Sequence, residues 1–147
     1  MEAVMVRYLI VIFFLAFIST QALADTLKSE QDAKKLSEEI ITLFSKEDLG
    51  DVINLMEPYT AIQGEELKGS LLQSKALRDQ HINRYGKSIG YEFIGERKAG
   101  DSLLKLVYIE KTEKHVFPWT FFFYRASTGW TLNSFSWDDQ VDNAFRL

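Results

Sequence analysis

The chain has 147 residues, 46% of them apolar, carries a net charge of −4 and contains no cysteine. That length gives one ordinary domain with enough core to fold unaided, and the missing cysteines exclude a disulfide scaffold. The mildly acidic balance lacks the concentrated basic face that nucleic acid needs and the polybasic segment that an anionic membrane needs.

Residues 1–24 read as a secretory leader. Arg7 precedes an apolar run from Tyr8 to Ile18, and Ala22-Leu23-Ala24 supplies the small-x-small box of signal peptidase. About eleven apolar residues fall short of the roughly 20 that span a bilayer. Cleavage after Ala24 is expected, leaving Asp25–Leu147 as a periplasmic or secreted domain with no stable membrane anchor and an unchanged net charge of −4, since Glu2 and Arg7 leave together.

Helical periodicity follows. Ser29 and Asp32 form a capping pair ahead of Ala33, Leu36, Ile40, Leu43 and Phe44, which predicts a helix over 29–46. Ser45 and Asp48 open a shorter helix carrying Leu49, Val52, Ile53 and Met56, which Pro58 ends. A third helix is predicted over 65–87, with Leu67, Leu71, Leu77, His81 and Tyr85 along one side.

Near Gly90 the period changes to two. Residues 91–97, 103–110, 115–124 and 130–137 alternate as strands, and the short polar connections between them predict an antiparallel four-strand meander. In the third, Phe117, Trp119, Phe121 and Phe123 share one face, while Pro118, Thr120, Phe122 and Tyr124 share the other. A strand so apolar on both sides calls for a cover on its outer face. Pro118 suggests incomplete pairing at that strand's start. In the fourth, Trp130 and Leu132 face one way together with Phe135 and Trp137 only if an extra residue intervenes, so a β-bulge is expected near Asn133-Ser134.

Three helices followed by a bent antiparallel sheet resemble the NTF2-like superfamily, the cone-shaped α+β fold of nuclear transport factor 2, ketosteroid isomerase and polyketide cyclases. The resemblance is carried by Trp119-Thr-Phe-Phe-Phe-Tyr-Arg125 and the return strand Gly129-Trp-Thr-Leu-Asn-Ser-Phe-Ser-Trp137, and it covers residues 29–139. It implies a sheet wrapped round a long helix to form a pocket, and dimerisation through the sheet's outer face. It also implies, for the enzymes of the group, a carboxylate base inside the cone. On the strands only Glu92 and Glu96 stand near apolar positions, and both alternate away from Tyr91, Phe93 and Gly95, a departure from the isomerase pattern.

The candidate pocket residues are Leu77, His81 and Tyr85, with Trp119 and Phe121 opposite. His81 has a competing reading as a core histidine held by one hydrogen bond, and Arg84 as a surface ion-pair partner. Thr120, Phe122 and Tyr124 are the candidate dimer face. His115 and Glu113 supply two metal ligands where zinc needs three from the protein, so neither metal nor cofactor is expected. Asp138, Asp139 and Asp142 lack a calcium-loop glycine and read as a solvated or capped terminal turn. No serine elbow or phosphate loop occurs. The expectation is an exported, non-enzymatic module that binds a small apolar ligand in the cone or an exported protein on the sheet face. The alternative is a cofactor-free enzyme of ketosteroid isomerase or polyketide cyclase type that moves a proton with a cone-lining acid or histidine.

Overall fold

Each helix starts where a side chain satisfies otherwise unpaired N–H groups. The computed structural model describes residues 25–147, so the leader reading of residues 1–24 lies outside the described residues. Helix α1 (Glu30–Ser45) opens on a complete capping box: Ser29 Oγ accepts from the Asp32 N–H, and the Asp32 carboxylate accepts from the Ser29 N–H. Helix α2 (Leu49–Met56) is capped by Asp48, and Pro58 falls in the 3-10 turn Glu57–Tyr59 that follows. Helix α3 (Gly64–Tyr85) has no cap from Gln63; instead Glu57 Oε1 accepts from the Gly64 N–H at 3.1 Å. It ends at Gly86, whose φ of 90° suits a residue without Cβ.

Four strands follow: β1 (Ser88–Ala99), β2 (Leu103–Thr112), β3 (Val116–Ala126) and β4 (Gly129–Trp137). They form one antiparallel sheet in the order β1-β2-β3-β4, the expected meander. The inner face presents Leu104, Leu106 and Tyr108 beside Phe117, Trp119, Phe121 and Phe123, all fully buried. Against it pack Leu36, Ile40 and Phe44 of α1, with the Phe44 ring edge-on to Trp119 at 5.4 Å. The core therefore occupies the concave side of the sheet, and burying these rings is the main favourable term in folding.

The expected bulge is present. Phe122 lies opposite Ser134 but Phe123 opposite Leu132, which leaves Asn133 as the extra residue. Trp130, Leu132, Phe135 and Trp137 consequently all face the core. Pro118 closes β3's contact with β4: its carbonyl accepts from the Asp138 N–H where the ladder ends. Two further bulges lie in β1, at Ile89 and Ile94. The second corrects the expected alternation: after it, Glu96 shares the inner side with Tyr91 and Phe93 and meets Lys34 of α1 at 2.6 Å.

The outer face is covered in part by residues 141–147. Lys105 donates to the Arg146 carbonyl at 2.5 Å and Arg97 to a Leu147 oxygen at 3.0 Å. The Leu147 side chain lies 2.8 Å from where a Cβ on Gly95 would stand, and Val107, Gly95's cross-strand neighbour, is fully buried. Phe122 and Tyr124 on the same face stay 39% and 47% exposed.

Candidate functional site

Alternation on β2 and helical spacing on α3 place two charged groups inside the apolar layer. Arg78 and Glu110 are both fully buried and meet in a bidentate pair, Nη1–Oε2 2.6 Å and Nη2–Oε1 2.5 Å. The Trp119 indole donates a third hydrogen bond to Glu110 Oε2 at 3.2 Å. Arg78 Nε has no partner. Glu110 is thus the core-facing acid that the reading of Glu92 and Glu96 passed over. Its oxygens are already occupied by cationic and indole donors, which hold it as an ion-pair partner rather than a free base.

One end of the sheet holds an aromatic cluster. His81 lies parallel to Tyr85 at 6.0 Å and edge-on to Phe117 and Trp137 at 5.7 Å each, with Nδ1 3.6 Å from Asp139 Oδ2. His115 also stacks on Tyr85, at 4.3 Å. Its Nε2 sits 2.9 Å from the Asp139 carbonyl, which can only accept, so that nitrogen carries the proton. Arg84 stacks over Tyr85 at 5.1 Å. The Glu113 carboxylate lies against Gly86, away from the His115 ring's contact with Asp139. Asp138 accepts from Gln140 and Asn143, and Asp142 pairs with Arg146, so the acidic run caps a terminal turn. Among the described residues no three His, Cys, Asp or Glu side chains converge on a metal position.

The open apolar volume lies elsewhere, between α3 and β4. Its floor is Met56, Leu67 and Leu71; its walls are Leu77 on α3 and Phe135 and Trp137 on β4. The cleft measures about 310 Å³, at the lower end of small-ligand sites. Its polar groups are neutral: Thr60, Asn133 and four serines, one of which, Ser74, accepts from the Trp137 indole at 2.8 Å. No ionisable side chain lines it. Three other surface depressions, of 240–340 Å³, are each lined in part by charged residues.

Of the five expected pocket residues, the structure brings only Leu77 to this cleft. Trp119 and Phe121 are sealed inside the core, because Phe44 and the neighbouring rings fill the cone where a cavity was expected. His81 and Tyr85 belong to the aromatic cluster. The inward stripe of α3 runs through the buried Leu67, Leu71 and Arg78, with Ser74, His81 and Ile82 half-buried along it; Leu77 lies beside it and is 48% exposed. The cleft itself arises from the bulge at Asn133, which turns Phe135 and Trp137 inward, and from the small Ser70 and Ser74, which leave space opposite them.

Three helices packed on the concave side of a four-strand antiparallel meander define the α+β NTF2-like fold. Among solved structures the chain is similar to a Campylobacter jejuni protein provisionally assigned as an NTF2-like transpeptidase, with a TM-score of 0.51 and 12% identity, covering 69% of this chain and 97% of that one. At that identity the likeness carries the fold alone. No protein-family model and no curated protein matches the sequence.

Proposed function

We propose that the domain is an exported, non-enzymatic binding module whose guest is an uncharged apolar group seated in the cleft between α3 and β4. The observation that carries this reading is the cleft's lining, apolar and free of ionisable side chains. Such a site has binding area but no group to move a proton. Export rests on the leader pattern of residues 1–24. No described helix is long and apolar enough to cross a membrane.

The catalytic alternatives find less support. A ketosteroid isomerase-like step needs a free carboxylate facing a cavity, whereas Glu110 is bound by Arg78 and Trp119 within the packed core. Transpeptidation, the activity in the Campylobacter protein's name, needs an activated nucleophile. The chain has no cysteine, and no histidine, lysine or acid stands among the cleft serines.

A titration with N-phenyl-1-naphthylamine, a neutral dye that brightens in apolar sites, tests the reading. Wild type is expected to take up the dye, and Leu77→Glu to lose most of that uptake while staying folded, because Leu77 is half exposed. Equal uptake by the two proteins would remove the cleft as the binding site. Self-association through Phe122 and Tyr124 is a separate part of the proposal, supported by their exposure on the outer face.

A further inference from the structure

The cleft lies where the sheet stops. β4 is an edge strand, and its free edge is closed only along its first half. There Trp130 exchanges two backbone hydrogen bonds of 2.8 Å with Leu27, and Thr60 forms a parallel bridge to Leu132. Past Thr60 the chain turns away into α3, so this fifth strand position breaks off after one bridge. Beyond Leu132, no other described segment pairs with the edge.

The orientation of the free groups follows from the ladder. In an antiparallel pair, successive residues turn their N–H and C=O to opposite edges. On β3 the set Pro118, Thr120 and Phe122 is turned toward β4, as the bond from the Asp138 N–H to the Pro118 carbonyl shows. Ser136 and Ser134, opposite Thr120 and Phe122, are therefore turned back to β3. Phe135 and Trp137 are left with N–H and C=O directed outward, along the rim of the cleft that their own side chains line.

An unpaired strand edge beside an apolar groove is suited to an added strand: main-chain hydrogen bonds hold the peptide, and alternate side chains enter the groove. We infer that the guest is an extended peptide segment that adds to β4 at Phe135–Trp137, with every second side chain apolar and seated in the cleft. The segment is uncharged where it inserts, since no lining residue offers a partner for a buried charge. This inference rests on the cleft being a site for apolar groups and adds the guest's chemical class.

The test uses the purified protein and a pool of capped heptapeptides that alternate threonine with leucine, isoleucine, valine or phenylalanine. Residue-resolved amide hydrogen exchange is expected to slow at Phe135 and Trp137 when the peptides are added, and Leu77→Glu is expected to abolish that slowing. N-methylation of a bound peptide's edge-facing amides should weaken binding by about tenfold, the effect of one or two lost backbone hydrogen bonds. The inference is overturned if N-phenyl-1-naphthylamine enters the cleft but no peptide protects these amides, or if N-methylation leaves affinity unchanged. Concentration-dependent protection without peptide would assign the edge to a second copy and overturn it too. Failure of the dye itself to bind would instead overturn the cleft reading.

Discussion

Three N–H groups, two from Arg78 and one from Trp119, reach the two oxygens of the buried Glu110 carboxylate. Removing one partner of such a pair strands the other. Arg78→Ala is therefore expected to cost about 3–5 kcal/mol, whereas Arg78→Met with Glu110→Leu should recover most of that loss. Urea unfolding of both variants reads the difference; a single-variant cost under about 1 kcal/mol would remove the pair as a structural element. Trp119→Ala should cost about 3–5 kcal/mol by opening a cavity and taking away one of Glu110's donors. Tyr108 makes a pH prediction. Burial, and then the nearby Glu38 carboxylate, hold its phenol protonated well above its ordinary 10.0. The unfolded phenol ionises near pH 10 while the folded one does not, so this contribution is complete below about pH 10 and is lost as the pH rises beyond it. Alkaline melting curves should show the loss, and Tyr108→Phe should reduce its steepness.

At the scale of elements, the bulge and the C-terminal cover set the two faces of the sheet. Deleting Asn133, the extra residue, would leave Leu132, Phe135 and Trp137 on one face by strict alternation, so the rings should stay inward on a ladder without the bulge. Retained cooperative unfolding by circular dichroism is the expected result, and its loss would mean that Asn133 is not the extra residue. Gly95→Val places a side chain where Leu147 lies, so it should release residues 146–147 and speed amide exchange there while the core holds. Unchanged exchange would mean that Gly95 does not seat the C-terminus. These elements also show what could be read in advance. Strands β2, β3 and β4 were legible because large apolar residues alternate on them, and the Asn133 bulge because two aromatic pairs fell out of phase. β1 was less so, since Ile89 and Ile94 each interrupt the period. Arg78 and Glu110 are separated by 32 residues, and an arginine on a helical stripe reads as solvent-facing until its partner is located. The cleft was illegible for a related reason: it is a gap between α3 and β4, and the spacing of neither element encodes the distance between them.

For the whole molecule, the interior between helices and sheet is filled and the open apolar cleft lies at its rim. The rings of Phe44, Trp119 and Phe121 occupy the interior, and the remaining apolar cleft opens beside the edge of β4. Two further expectations belong at this scale. Intact mass of the exported protein should begin at Asp25, and a chain retaining Met1 in the membrane would contradict the leader reading. Sedimentation should show Phe122→Glu shifting any dimer to monomer; a dimer indifferent to that change would lie on another face. The central claim, that the cleft between α3 and β4 is the binding site, is tested most directly by backbone NMR mapping of N-phenyl-1-naphthylamine on the purified protein. The account predicts shifts concentrated at Ser74, Leu77, Phe135 and Trp137; shifts confined to Tyr85 and His115, or to Phe122 and Tyr124 on the outer face, would contradict it.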